Sequence, residues 1–189
     1  MSQIVVSDAE YGALRATIRE RGTARLCAVA LGLSVWGALA TALLIAELSG
    51  AITLVPLLVL VATFEINFFI HVGVERIGRY LQVFFEERTG SIGWETTAMN
   101  YGTRFRGRGL DPLFSMIFVL ASAVNFLSSF AVAERRPGWI VIALVAHLVF
   151  NYRIVRARQF SFAQRSIELE HFRALAKEQA LERQSIANV

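Results

Sequence analysis

Cysteine, proline and charge are all scarce in this chain, and each scarcity removes a class of protein. The one cysteine, Cys27, lies in an apolar run, so there is no internal disulfide and no CxxC metal cluster. HExxH, a phosphate loop, a nucleophile elbow and a paired catalytic carboxylate set are missing too, so the expectation is no enzyme, no catalytic residue, no metal and no cofactor. The three prolines, Pro56, Pro112 and Pro137, stand at the ends of apolar runs, where a missing amide donor costs least. Charged residues make up 18% of the chain, against about a quarter in soluble domains, so the apolar excess calls for lipid. Mean hydropathy of +0.50 agrees.

What is abundant is uninterrupted apolar sequence. Leu26 to Ala46 holds no charge over 21 positions, and about 20 suffice to cross the hydrocarbon. A signal peptide is disfavoured, because the run begins at residue 26 and a second run follows at once. That second span, Ala51 to Val72, is separated from the first only by Leu48, Ser49 and Gly50, which makes the pair a tight hairpin. A third span is predicted from the Asp111-Pro112 cap to Ala133, and a fourth from Trp139 to about Tyr152 after the turn at 134–138.

The fold class expected is therefore all-α: an integral membrane protein with four transmembrane helices in two hairpins and cytoplasmic helical extensions. Residues 1–25 form an N-terminal amphipathic segment, 26–72 the first hairpin, 73–110 a cytoplasmic helix and basic loop, 111–153 the second hairpin, and 154–189 a C-terminal helix. Orientation follows from the positive charges. With both termini inside, seventeen lie on the cytoplasmic side and two, Arg135 and Arg136, outside. The expected location is a cell inner membrane.

The cytoplasmic segments carry their own patterns. A capping box at Ser7 to Glu10 opens a short amphipathic helix over 8–21. Val74, Ile77, Leu81, Phe84 and Phe85 recur at helical steps, so the second span is expected to continue to a stop at Thr89-Gly90. Residues 90–109 read as a loop, with Trp94 anchored against the helices or at the interface. Arg104, Arg106 and Arg108 alternate in that loop with glycine and Phe105, a composition suited to an anionic or nucleic-acid ligand as well as to plain topogenic charge. Two adjacent apolar stripes on 154–183, one through Leu169, Phe172 and Ala176 and one through Ile167, Ala174 and Leu181, suit a helix with two neighbours or an oligomer seam.

Polar residues inside the spans are the most informative. Thr63, Asn67, His71, Glu75 and Arg79 are four apart and make a continuous strip that cannot face lipid. Glu65 lies nearly opposite Asn67, deep enough to need water, a proton or a cation such as Arg76 or Arg153. Ser115, Ser122 and Ser129, with Asn125 and Ser128, mark close helix packing in the third span, and Ala143, His147 and Asn151 repeat the spacing in the fourth. These patterns assign Thr63, Glu65, Asn67, His71 and Glu75 to a pore or subunit seam, and Arg79, Arg104, Arg106 and Arg108 to ligand or partner binding.

Size, topology, the polar region from Glu65 to Arg79 and the Arg104, Arg106, Arg108 loop resemble small multi-pass membrane effectors of bacterial anti-phage defence systems. The resemblance implies a homo-oligomer that disrupts or depolarises the inner membrane when triggered. The alternative is a membrane anchor that recruits a soluble cytoplasmic partner. The lipid bilayer is a partner in either case.

Overall fold

The computed structural model describes residues 8–47, 50–90, 93–104, 115–132 and 137–187, and among these all regular structure is helical. Helix α1 runs from Asp8 to Ile45, so the amphipathic segment and the first apolar span are one helix rather than two. Gly22 lies between them, but a glycine inside a helix costs only about 1 kcal/mol and does not end it. The helix stops at Ala46 and at Glu47, whose φ of 52° is left-handed.

Helix α2, Ala51–Thr89, is continuous across the second apolar run and its charged continuation. It opens with a 3-10 turn at Gly50–Leu54, is α-helical over Val55–Leu81, widens to a π-helix at Gln82–Glu86 and closes at Glu87–Thr89. Gly90 then turns left-handed at φ 66°, a conformation that costs glycine little, so the predicted stop is where the chain stops. The π-helical segment carries no sequence signal.

The expected loop over 90–109 is only partly a loop. Trp94–Arg104 forms helix α3, and Trp94 is 70% exposed, so it is not packed against the helices. The physical reason lies in α2: Oε1 and Oε2 of Glu86 accept hydrogen bonds from the Glu95 and Thr96 amides, both at 2.8 Å, and Oε2 accepts a third from Thr96 Oγ1 at 2.7 Å. A buried carboxylate thus caps the new helix and meets the positive end of its dipole. Gly93 is what lets it in, because any Cβ there collides with that carboxylate.

Helix α4 spans Met116–Val132, and the Asp111-Pro112 cap lies outside the described residues. The fourth span and the C-terminal helix, read separately from sequence, are a single helix α5, Pro137–Ala187. Proline begins it, and neither Gly nor Pro recurs after Gly138 to break it. Among the described residues three helices, α1, α2 and α5, are long and apolar enough to cross a membrane, and α4 is an apolar helix of 17 residues.

The chain divides into two compact units. The apolar unit comprises Thr23–His71 and Asp111–Phe160. Phe64 is its centre, fully buried, with the rings of Phe118 and Phe150 edge-on at 5.3 and 5.9 Å. Around it pack Val29, Leu57, Leu60, Ala121, Ile154 and Ala157. Large apolar side chains also cover the outside, among them Leu31, Leu58, Phe69, Leu127 and Leu148. In water such a surface is untenable, so it suits acyl chains, and close packing rather than hydrophobic burial must hold the helices together.

Helices α1 and α2 approach closely at Gly32, where an added Cβ would overlap the Thr63 side chain. Gly32→Ala is therefore expected to destabilise the unit by about 1–3 kcal/mol. Thermal unfolding in detergent should show the drop, and Thr63→Ala should restore part of it.

The second unit comprises the described parts of Met1–Gly22, Val72–Leu110 and Ser161–Val189. Its apolar core is small: Val83, Phe84 and Leu169, flanked by Tyr80, Phe85, Phe172 and Ala176. The first of the two stripes on α5 is packed there. The second, with Ile167 and Leu181, is exposed.

Candidate functional site

The polar strip on α2 is consumed within each unit. In the apolar unit Thr63 is 6% exposed and donates to the Val59 carbonyl, and Asn67 is fully buried, its Oδ1 accepting from Arg25 Nε at 2.7 Å. His71 also has a partner. In the charged unit, Glu75 accepts from Arg79 at 2.9 Å. Thr63 and Asn67 thus meet the requirement to avoid lipid inside the protomer.

Glu65 is different. Its carboxylate accepts from Arg153 at 2.8 Å, the second of the two partners named from sequence, while Arg76 goes to Glu168. Arg153 lies over the Phe68 ring at 4.9 Å, which adds a cation–π contact. Both charged side chains keep about two-fifths of their surface exposed, at 42% and 39%. Their neighbours Ile66, Phe69, Val149 and Tyr152 are exposed as well. The pair is thus presented on the outside of the apolar unit.

A third polar group, found only in part from sequence, ties α1, α4 and α5. Asn125 Oδ1 accepts from Trp36 Nε1 and its Nδ2 donates to His147 Nε2, both at 3.0 Å. His147 Nδ1 donates to the Ala143 carbonyl at 2.7 Å, which fits a neutral ring protonated on Nδ1. Asn151 Nδ2 donates to Ser122 Oγ at 3.0 Å. The regular spacing of His147 and Asn151 pointed to this network; nothing in the sequence singled out Trp36. Among the described residues no group of three His, Cys, Asp or Glu side chains could hold a metal.

The charged unit holds a denser site. Arg79 is 4% exposed and gives Nε to Glu168 at 2.8 Å and a terminal nitrogen to Glu75. Arg76 reaches Glu168 at 3.0 Å, and Arg165 reaches Glu75 at 3.5 Å. Arg15 of α1 binds Glu95 of α3 at 2.8 Å. Of these, Arg15, Glu75, Arg79, Glu95 and Arg165 line a cavity of roughly 260 Å³, together with Gln82 and Trp94. Arg104 lies at the end of α3, whereas Arg106 and Arg108 fall outside the described residues.

Two carboxyl groups here are displaced from their ordinary range in opposite directions. Burial pushes Glu95 up; Arg15 pulls against it, and the neighbouring Glu86 and Glu75 charges add to the rise. For Glu168 burial also acts upward, but hydrogen bonds and charge from Arg79, with Arg76 and Gln164, outweigh it and leave the group below the usual value. A lowered folded-state value means that the Glu168 contribution is fully present above the unfolded carboxyl's range and is lost as pH falls through it. The stability advantage of the native protein over Glu168→Gln is therefore expected to hold from pH 7 to about 5 and to shrink as the pH falls further, through and below the unfolded carboxyl's value of about 4.3, measured by thermal unfolding of both across that range.

The fold and site thus define an all-helical protein of the membrane-associated class. No protein-family model matches the chain, and neither a curated protein nor a solved structure matches it.

Proposed function

We propose that the protein is a homo-oligomeric effector of the bacterial inner membrane, in which α1, α2, α4 and α5 each cross the bilayer and both termini are cytoplasmic. Assembly creates an ion path or a membrane lesion, and the charged unit regulates it. A role in anti-phage defence fits this design.

The carrying observation is the Glu65–Arg153 pair on the outer face of the apolar unit. A charge held among acyl chains costs about 2.5–3.5 kcal/mol even on permissive scales, and a half-exposed pair recovers only part of that. Water in a pore, or a neighbouring copy that buries the pair, removes the cost. The exposed stripe of Ile167 and Leu181 on α5 offers a further surface for self-association. Since α1, α2 and α5 are shared by both units without a break, movement of their charged ends is a means of control.

Purified full-length protein in liposomes tests the reading by ion or dye flux. Flux above that of empty liposomes is expected, and none in any lipid composition or with any added anion overturns it. A membrane anchor for a soluble partner is the second reading, favoured by one observation: Thr63 and Asn67, the strip residues at mid-span, are already satisfied within the protomer. An anchor requires stable folding with no flux at all.

A further inference from the structure

The cavity in the charged unit has a feature that ion pairing does not explain. Gln82 is 6% exposed and lines it, and its Oε1 is buried without a hydrogen-bond partner. A buried acceptor left in that state costs about as much as a lost hydrogen bond, so something that donates belongs there. Gln82 is also the first residue of the π-helical segment of α2, a distortion that recurs at functional sites because it re-aims side chains.

The cationic side of the cavity is equally specific. Arg79 is engaged twice, by Glu75 and Glu168, and serves as a fixed wall. Arg165 meets Glu75 only at 3.5 Å, beyond a good charge-assisted hydrogen bond, while being about one-third exposed. Arg15 is held by Glu95, a carboxyl whose charge is disfavoured by burial and is thus the easier partner to replace. Trp94, open to solvent at the lining, offers an aromatic plane. A volume of roughly 260 Å³ admits a small metabolite.

We propose that this cavity binds a small organic anion, with Arg165 and Arg15 taking its charged group and the Gln82 side chain turning its buried Oε1 toward a hydroxyl or amino group beside it. A phosphomonoester is the simplest such ligand. The site stands whether or not the protein forms a pore, because it rests on the charged unit alone.

Calorimetric titration of the full-length protein in nanodiscs tests it with four probes: ribose 5-phosphate, adenosine monophosphate, inorganic phosphate and adenosine. At least one of the two phosphomonoesters is expected to bind saturably, and inorganic phosphate and adenosine to bind at least about tenfold more weakly. Arg165→Met and Gln82→Leu should each weaken the phosphomonoester about tenfold or more, with helix content and elution volume unchanged. Arg165→Met removes only the long contact to Glu75, so it keeps the test sharp if Gln82→Leu perturbs the π-helical turn. Absence of saturable binding by both phosphomonoesters up to about 10 mM overturns the proposal, as does binding that neither variant changes. Inorganic phosphate binding as tightly as the esters also overturns it.

Discussion

Arg79→Met is expected to lower stability by about 3 kcal/mol, a large part of what holds a domain of this size together. The side chain is 4% exposed and satisfies two carboxylates, Glu75 and Glu168, the latter also nearly buried. Removing the guanidinium strands Glu168 in a low-dielectric setting, with Arg76 and Gln164 as its remaining donors. A buried charge without its partner is worse than no charge, so Arg79→Met/Glu168→Met should be more stable than the sum of its parts. Chemical unfolding of the two single variants and the double variant in detergent gives the coupling. If instead Arg79→Met costs less than about 0.5 kcal/mol, the pair is as weak as an exposed surface salt bridge and the charged unit is held by its aromatic core alone.

The second large effect concerns Glu65 and Arg153. Glu65→Leu leaves Arg153 facing an apolar surface with only the Phe68 and Phe64 rings beneath it. The cost is at most about 2.5–3.5 kcal/mol, the figure for a charge at the bilayer centre, because Arg153 stands at the inner end of its span and its long side chain can reach the headgroups. The double variant Glu65→Leu/Arg153→Leu has no such stranded charge, so its folded protomer should be at least as stable as the native one. Its assembly should fail, however, because an apolar face can rest in lipid and no longer needs a partner. Thermal unfolding read beside liposome flux separates the two effects: the single variant loses both, and the double variant keeps the fold and loses the flux.

Much of this was readable from residue order, and the reasons are physical. A run without charge from Leu26 to Ala46 has one environment available to it, and apolar steps of three and four from Val74 to Phe85 have one geometry. Arg153 could be named as a partner for Glu65 because a carboxylate in an apolar run needs a cation within reach, and few were. Other features were out of reach. Glu86 caps a helix whose first residue lies eight positions downstream, a long-range contact with no local pattern. That hidden cap is why residues 94–104, rich in Thr, Asn and Gly, read as a loop and fold as α3. Asn67 and Thr63 could be seen to avoid lipid, but whether they turn toward sister helices or another copy depends on packing. Within the protomer Asn67 meets Arg25 and Thr63 meets Gly32, contacts between residues about 30 to 40 positions apart that no local pattern announces.

The joining of elements was misjudged for a related reason. Amphipathic periodicity changes at the ends of the apolar runs, and a change of pattern suggests a change of element. Backbone hydrogen bonding is indifferent to which side chains are polar, so α1 and α5 continue through Arg25 and Arg153 where a sequence reading divides them.

If the exposed charges at Glu65 and Arg153 are answered outside the protomer, as the proposed assembly requires, the protein is an oligomer that depends on them. Counting subunits by native mass spectrometry of the protein released from lipid nanodiscs tests this most directly. A defined oligomer that collapses to protomers in Glu65→Leu/Arg153→Leu is the predicted result. A strict monomer in native lipid, or an oligomer indifferent to the loss of both charges, contradicts it.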